Sequence, residues 1–132
     1  MNPVVHFELP YENAERAAAF YRAAFGWQTQ QYGAEMGNYV VVTTATKDVQ
    51  PDVPRGAING GLYQKKADFP AQYPSVVIGV DDLERAMRAV RDAGGQVLGT
   101  PMEIPGVGLY VSFLDTEGNR NSMLQPRRGD RP

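Results

Sequence analysis

The chain has 132 residues, 42% hydrophobic and 21% charged, which suits one globular domain with a core of its own. It contains no cysteine, so disulfides, a Cys-ligated zinc and a thiol nucleophile are all excluded. With 13 basic and 15 acidic residues the net charge is −2, which leaves no basic stripe for phosphates and predicts no nucleic-acid partner. The first residues lack a basic leader and no apolar run approaches a membrane span, so the expected compartment is the cytoplasm and no membrane partner is expected.

Val4-Val5-His6-Phe7-Glu8-Leu9 alternates as a half-buried strand, with Val5, Phe7 and Leu9 on one face and Val4, His6 and Glu8 on the other. Pro10 ends it. Asn13 is a candidate N-cap for a helix over residues 14–25, with Ala17, Phe20, Tyr21 and Ala24 as its buried stripe and Gly26 as its stop. Residues 27–32 read as a second strand and residues 38–44, rich in β-branched side chains, as a third. Residues 47–56 read as a loop. Residues 57–64 close the first half, bent by Asn59-Gly60-Gly61.

The same order follows again. Residues 75–80 form a strand, and Asp81 or Asp82 caps a helix over about 83–93 that Gly94-Gly95 stops. Residues 96–98 are a short strand, 109–114 a clear one, 115–119 a turn and 121–125 the closing strand. Gly106-Val107-Gly108 precedes a strand rather than a helix, so it reads as a turn and not a phosphate loop. The tail over 128–132 is polar and rich in breakers, and its Arg-Gly-Asp triplet is taken as chance.

The two halves align 69 residues apart. Glu15-Arg16-Ala17 meets Glu84-Arg85-Ala86, Asn13 meets Asp82, Gly26 meets Gly95 and His6 meets Ser75. Agreement of strand, cap, helix and stop at one offset points to an internal duplication. The expected organisation is a single domain over 1–127, with modules over about 1–66 and 73–127.

Val4-Val5-His6-Phe7-Glu8, Ala14 through Tyr21, Phe25-Gly26-Trp27, Val77 through Asp82 and the Asp115-Thr116-Glu117-Gly118-Asn119 turn together resemble the vicinal oxygen chelate superfamily. That group includes glyoxalase I, extradiol dioxygenases and bleomycin-resistance proteins. The resemblance implies an α+β fold of two tandem βαβββ modules, each sheet a half-barrel with helices outside and a cleft inside, and a homodimer. Metal enzymes of the group hold a divalent ion with His and Glu side chains. Carried over by position, those ligands fall on His6, Ser75, Ser122 and a site near Gly60. One usual ligand out of four does not make a metal site, so neither a metal nor a cofactor is expected.

His6 then reads either as a hydrogen-bonded group of a pocket wall or as a general acid or base tuned by Glu8. Tyr39, Met102 and Tyr110 are candidates to line the cleft with His6, Ser75 and Ser122, holding the apolar part of a ligand. Trp27 is a further candidate, but its place after the helix stop favours a core plug. Arg16, Arg85, Arg88 and Arg91 read as solvated helix faces. Besides an interaction module whose cleft carries no ligand, two functions compete. One is a metal-free protein that binds a small metabolite or antibiotic. The other is an enzyme of lyase, isomerase or dioxygenase type, using His6 and Glu8 or a metal held by displaced ligands.

Overall fold

The computed structural model describes residues 1–45 and 57–127. The loop expected over 47–56 and the tail with its Arg-Gly-Asp triplet lie outside them. The fold is α+β, and the described residues form two βαβββ repeats. The first runs β1 (Val4–Tyr11), α1 (Ala14–Phe25), β2 (Gln28–Gln31), β3 (Val40–Thr43) and β4 (Gly60–Gln64). The second runs β5 (Ser75–Gly79), α2 (Leu83–Asp92), β6 (Gln96–Ile104), β7 (Gly108–Leu114) and β8 (Arg120–Pro126). Compactness divides the chain at Pro74, with His6–Pro74 as one unit and Ser75–Pro132 joined by Met1–Val5 as the other. Among the described residues no helix is long and apolar enough to cross a membrane.

Both repeats have the same topology. In the first the strands lie in the order β2-β3-β4-β1, and in the second β6-β7-β8-β5. The first strand of each pairs in parallel with the last, and the other neighbours are antiparallel. Leu9 stands opposite Leu62 in the first repeat, and Ile78 opposite Met123 in the second. The helices obey the offset of 69: α1 opens at Ala14 and α2 at Leu83. Asn13 Oδ1 accepts from the Arg16 amide at 2.9 Å and Asp82 Oδ1 from the Arg85 amide at 3.1 Å, so the caps coincide too.

Each helix seals one face of its own sheet. In the second repeat Leu83, Ala86, Met87 and Val90 of α2 pack with Val80, Val111, Phe113 and Met123. In the first, Ala14, Ala17 and Ala18 of α1 pack with Leu9, Tyr11, Val40, Val42 and Leu62. The α1 stripe therefore starts one turn earlier than the sequence reading placed it. Ala14, Ala17, Ala18 and Tyr21 face the sheet at the positions of Leu83, Ala86, Met87 and Val90. Phe20 lies outside it, 57% exposed. Small side chains at 14, 17 and 18 let the helix backbone approach the sheet. Trp27 stacks on Tyr21 with ring centroids 4.5 Å apart and packs against this core, as a plug rather than a cleft wall.

Several boundaries differ from the sequence reading; β1 runs through Pro10 to Tyr11, and β4 begins only at Gly60. Residues 34–36 form a 3-10 turn, and Gly37 and Asn38 follow in the left-handed region (φ 66 and 56), so β3 begins at Val40. The left-handed glycine that ends α2 is Gly94, one residue before the counterpart of Gly26. Strand β6 runs on to Ile104 because a bulge between Leu98 and Met102 absorbs Gly99 and Pro101, which a regular ladder would not tolerate.

Leu83 is 1% exposed and Phe20 more than half exposed, so their truncations should differ sharply. Leu83→Ala should lower unfolding free energy by about 2–5 kcal/mol, while Phe20→Ala should stay within about 1 kcal/mol. Urea denaturation followed by circular dichroism measures both. Similar losses for the two would mean that α1 turns Phe20 inward.

Candidate functional site

Strand alternation puts polar groups on the face that α1 leaves bare. Phe7, Leu9 and Tyr11 of β1 point to the helix, so His6 and Glu8 point away from it. Tyr39 joins them. Its position is set by the turn before β3, where Tyr11 Oη donates to the Asn38 carbonyl and the Tyr32 amide donates to the Tyr39 carbonyl. Tyr39 Oη donates to Glu8 Oε2 at 3.1 Å, and His6 Nε2 lies 3.0 Å from Tyr39 Oη. With the phenol proton committed to Glu8, His6 Nε2–H donates to the phenol oxygen and leaves its lone pair on Nδ1. Burial lowers the His6 pKa from 6.5, against a smaller upward pull from the Glu8 carboxylate. The imidazole is thus neutral at pH 7. Glu8 is itself buried, at 7% exposure.

The second repeat carries its own cluster on the matching face. Val111, Phe113 and Met123 face α2, so Tyr110, Ser112, Ser122 and Arg120 face away. Tyr110 Oη and Ser122 Oγ are 2.6 Å apart, and Ser112 Oγ is 3.0 Å from Ser122 Oγ. Arg120 Nη1 donates to Ser112 Oγ at 3.4 Å. Met102 stands opposite Tyr110 in the β6–β7 ladder and is 56% exposed. Ser75 is buried, and its hydroxyl has no hydrogen-bond partner among the described residues.

Five of the seven residues singled out from sequence are thereby joined within their own repeats: His6, Glu8 and Tyr39 in the first, Tyr110 and Ser122 in the second. Met102 shares the ladder with Tyr110 but makes no polar bond to it. Arg120 and Ser112 were missed. Both lie in step with Ser122, Arg120 two residues before it and Ser112 directly opposite, so the period-2 pattern of β7 and β8 carried the signal.

Registers also correct one family position. Val77 stands opposite Ser122 and its counterpart Glu8 stands opposite Gly61, so Gly61 is the match for Ser122. Gly60 lies opposite Phe7, on the helix side. The positions at which the family's metal enzymes place ligands are then His6, Gly61, Ser75 and Ser122. One imidazole, a glycine and two serines do not fit a divalent ion, and the His6 Nε2 is already bonded to a phenol. Among the described residues no three His, Asp or Glu side chains gather as a ligand set. An open hollow of about 380 Å³ lies instead at the β6–β7 turn and the end of β8, lined by Glu103, Ile104, Pro105, Gln125 and Arg127. Its charged chains, Glu103 and Arg127, are exposed, and Gln125 Oε1 is already taken up by the Leu83 amide, so the two clusters remain the better candidates.

Comparison with known proteins agrees with this fold. The description "bleomycin resistance protein-like N-terminal" matches residues 4–45. A glyoxylase-like domain-containing protein of Didymella fabae is 33% identical over 119 residues, covering 88% of this chain and 88% of that protein. A putative glyoxylase, CFP32, of Mycobacterium tuberculosis is 28% identical over 90% of this chain, which spans 42% of that protein's length. An anthracycline biosynthesis protein, DnrV, of Streptomyces peucetius is 27% identical over 85% of this chain, again over 42% of its own length. Among solved structures, a methylmalonyl-CoA epimerase in complex with methylmalonyl-CoA and ammonium superposes with a TM-score of 0.70 at 17% identity, over 100% of this chain and 99% of that one. The methylmalonyl-CoA epimerase of Mycobacterium tuberculosis gives a TM-score of 0.65 at 14% identity, over 96% of this chain and 89% of that one. At such identities the structures testify to the fold alone.

His6 gives this region a defined pH response. Its folded pKa is lowered, so as pH falls through 6.5 the unfolded chain takes up a proton that the folded one refuses. The imidazole therefore favours folding less as pH drops from 6.5 toward its folded pKa. His6→Gln should flatten the stability–pH curve in that window and leave it unchanged above pH 7. Urea midpoints from pH 5 to 8 test this; parallel curves for both proteins would show that His6 does not carry the effect.

Proposed function

Because this chain belongs to the vicinal oxygen chelate superfamily, with a glyoxylase-like relative along most of its length, we propose that it binds a small organic molecule without a metal. The ligand takes its polar contacts from the groups on the helix-free faces of the sheets. The observation that carries this reading is the His6–Tyr39–Glu8 chain, a buried carboxylate and a phenol holding the imidazole in one tautomer. Such a fixed ring is a directional acceptor at Nδ1, which suits a ligand hydroxyl or amide. Ser75 supports the same reading. A buried hydroxyl without a partner costs about 1–3 kcal/mol, and a ligand atom would relieve it. Tyr110 and Met102, opposite each other in the β6–β7 ladder, supply aromatic and apolar surface.

A second reading follows from the hydrogen-bond direction. The same Nδ1 lone pair can take a proton from a carbon or oxygen acid, while Tyr39 and Glu8 stabilise the imidazolium that forms. The chain would then be an isomerase or lyase working by proton transfer. A structural neighbour is described with methylmalonyl-CoA, and a relative is named for anthracycline biosynthesis. Acyl-CoA thioesters and anthracyclines therefore head the ligand classes to try. Assembly as a homodimer is also proposed, and light scattering returning 14.5 kDa at micromolar concentration would refute it.

A thermal-shift screen over acyl-CoA thioesters, anthracyclines and small metabolites tests binding. A true ligand at 100 times its Kd should add about 2.7 kcal/mol to stability. His6→Ala should weaken that ligand at least tenfold under either reading, whereas only the second reading predicts turnover of it. No shift with any class would count against both.

Ser75→Ala separates ligand binding from folding. Removing an unsatisfied hydroxyl should leave the free protein as stable as before or stabilise it by about 1 kcal/mol, while weakening the ligand. A clear loss of stability in the free protein would mean that Ser75 has a structural partner.

A further inference from the structure

Tyr39 and Tyr110 are equivalent residues. Each stands one place before the residue that opposes Leu62 or Met123: Val40 pairs with Leu62, and Val111 with Met123. Yet the two phenols end in different places. In both repeats the strand next to the tyrosine is the closing strand, β4 or β8, and the first strand, β1 or β5, lies beyond it. Adjacent strands are about 4.8 Å apart, so a tyrosine can reach the first strand only by lying flat across the closing one. In the first repeat it does so over Gly61. A Cβ there would sit 2.0 Å from Tyr39 Oη, 2.1 Å from Cζ and 2.2 Å from Cε1, so no side chain can coexist with the ring in this position. Tyr39 then arrives at His6 and Glu8. In the second repeat the same place holds Ser122. Tyr110 stops at its hydroxyl, and Ser75, the counterpart of His6, is left without a partner.

We propose that this one ladder position, Gly61 in the first repeat and Ser122 in the second, decides how far the tyrosine of a repeat reaches: across the closing strand to His6 and Glu8 over Gly61, or only to the Ser122 hydroxyl. Gly61 is a positioning residue: it acts by being absent from the space that Tyr39 needs. For what the ligand meets, the inference rests on the binding reading above; for the side-chain arrangement it rests on geometry alone. With His6 and Glu8 in one repeat at the places of Ser75 and Val77 in the other, the reach of the tyrosine completes an acceptor nitrogen backed by a carboxylate on one and leaves the Ser75 hydroxyl open on the other.

The test needs no ligand, so its outcome is independent of whether a ligand is ever found. Histidine occurs once in the chain, which makes its nitrogen spectrum a clean report on the Tyr39 contact. Gly61→Ala should displace Tyr39 and move the His6 resonances to those of Tyr39→Phe. It should also reduce the folding equilibrium constant at least about tenfold in the natural background and change it less than about threefold when Tyr39 is already Ala, since the two residues then no longer compete for space. Resonances of Gly61→Ala that match the unaltered protein, or an equal loss in both backgrounds, would overturn the inference. Should Gly61→Ala alone fail to fold, the Tyr39→Ala/Gly61→Ala double variant decides: folding supports the inference, and failure overturns it.

Discussion

The parallel pairing of first and last strand in each repeat is the constraint on which the remaining features depend. It locks Leu9 to Leu62 and Ile78 to Met123, and with them the faces of every other strand. A slip of one residue would turn His6 and Glu8 into the α1 interface and expose Phe7 and Leu9. Because the apolar stripe of each helix is matched to one face only, hydrophobic burial enforces the register. The polar groups are carried to the opposite face as a consequence. The hydrogen-bonded clusters are thus placed by the cores they do not belong to.

Those clusters are electrostatically demanding. A buried carboxylate and a buried guanidinium each lose hydration, and a lone polar group in such a setting is expensive. Glu8 offsets this with the Tyr39 hydroxyl, and Arg120 donates to Ser112. Hydrogen bonding of this kind restricts rotamers and fixes the imidazole tautomer, which is what a binding site needs before its ligand arrives. Ser75 departs from the pattern, and unsatisfied groups of that sort concentrate where a protein has work other than stability.

Much of this was legible in the residues. The duplication, both N-caps, the order of strands and the outward face of His6 follow from period and punctuation, and the structure has them where expected. Helix phase on α1 was less accessible. Ala14, Ala17 and Ala18 carry little hydrophobic signal, so the larger Phe20 drew the stripe toward itself. Strand β6 was cut short at Gly99 because a bulge looks like a break in sequence. The resemblance set one position near Gly60, and only the β1–β4 register distinguishes Gly61, which faces the same way as Glu8, from Gly60 opposite Phe7. Contacts of Tyr39 with His6 and Glu8 were beyond sequence reasoning, since they cross an intervening strand and join residues more than thirty positions apart.

The chain's one tryptophan and one histidine both lie within His6–Pro74. Trp27 is stacked on Tyr21 against the α1 core, and His6 is on the opposite face of the same small sheet. Indole fluorescence and imidazole resonances therefore observe the same half of the molecule from its two sides, and the half that begins at Ser75 is silent to both. Far-ultraviolet dichroism sees both halves at once. A fluorescence transition that ran ahead of the dichroism would reveal the first repeat melting alone, so an old duplication has left the protein with an optical label on only one of its copies.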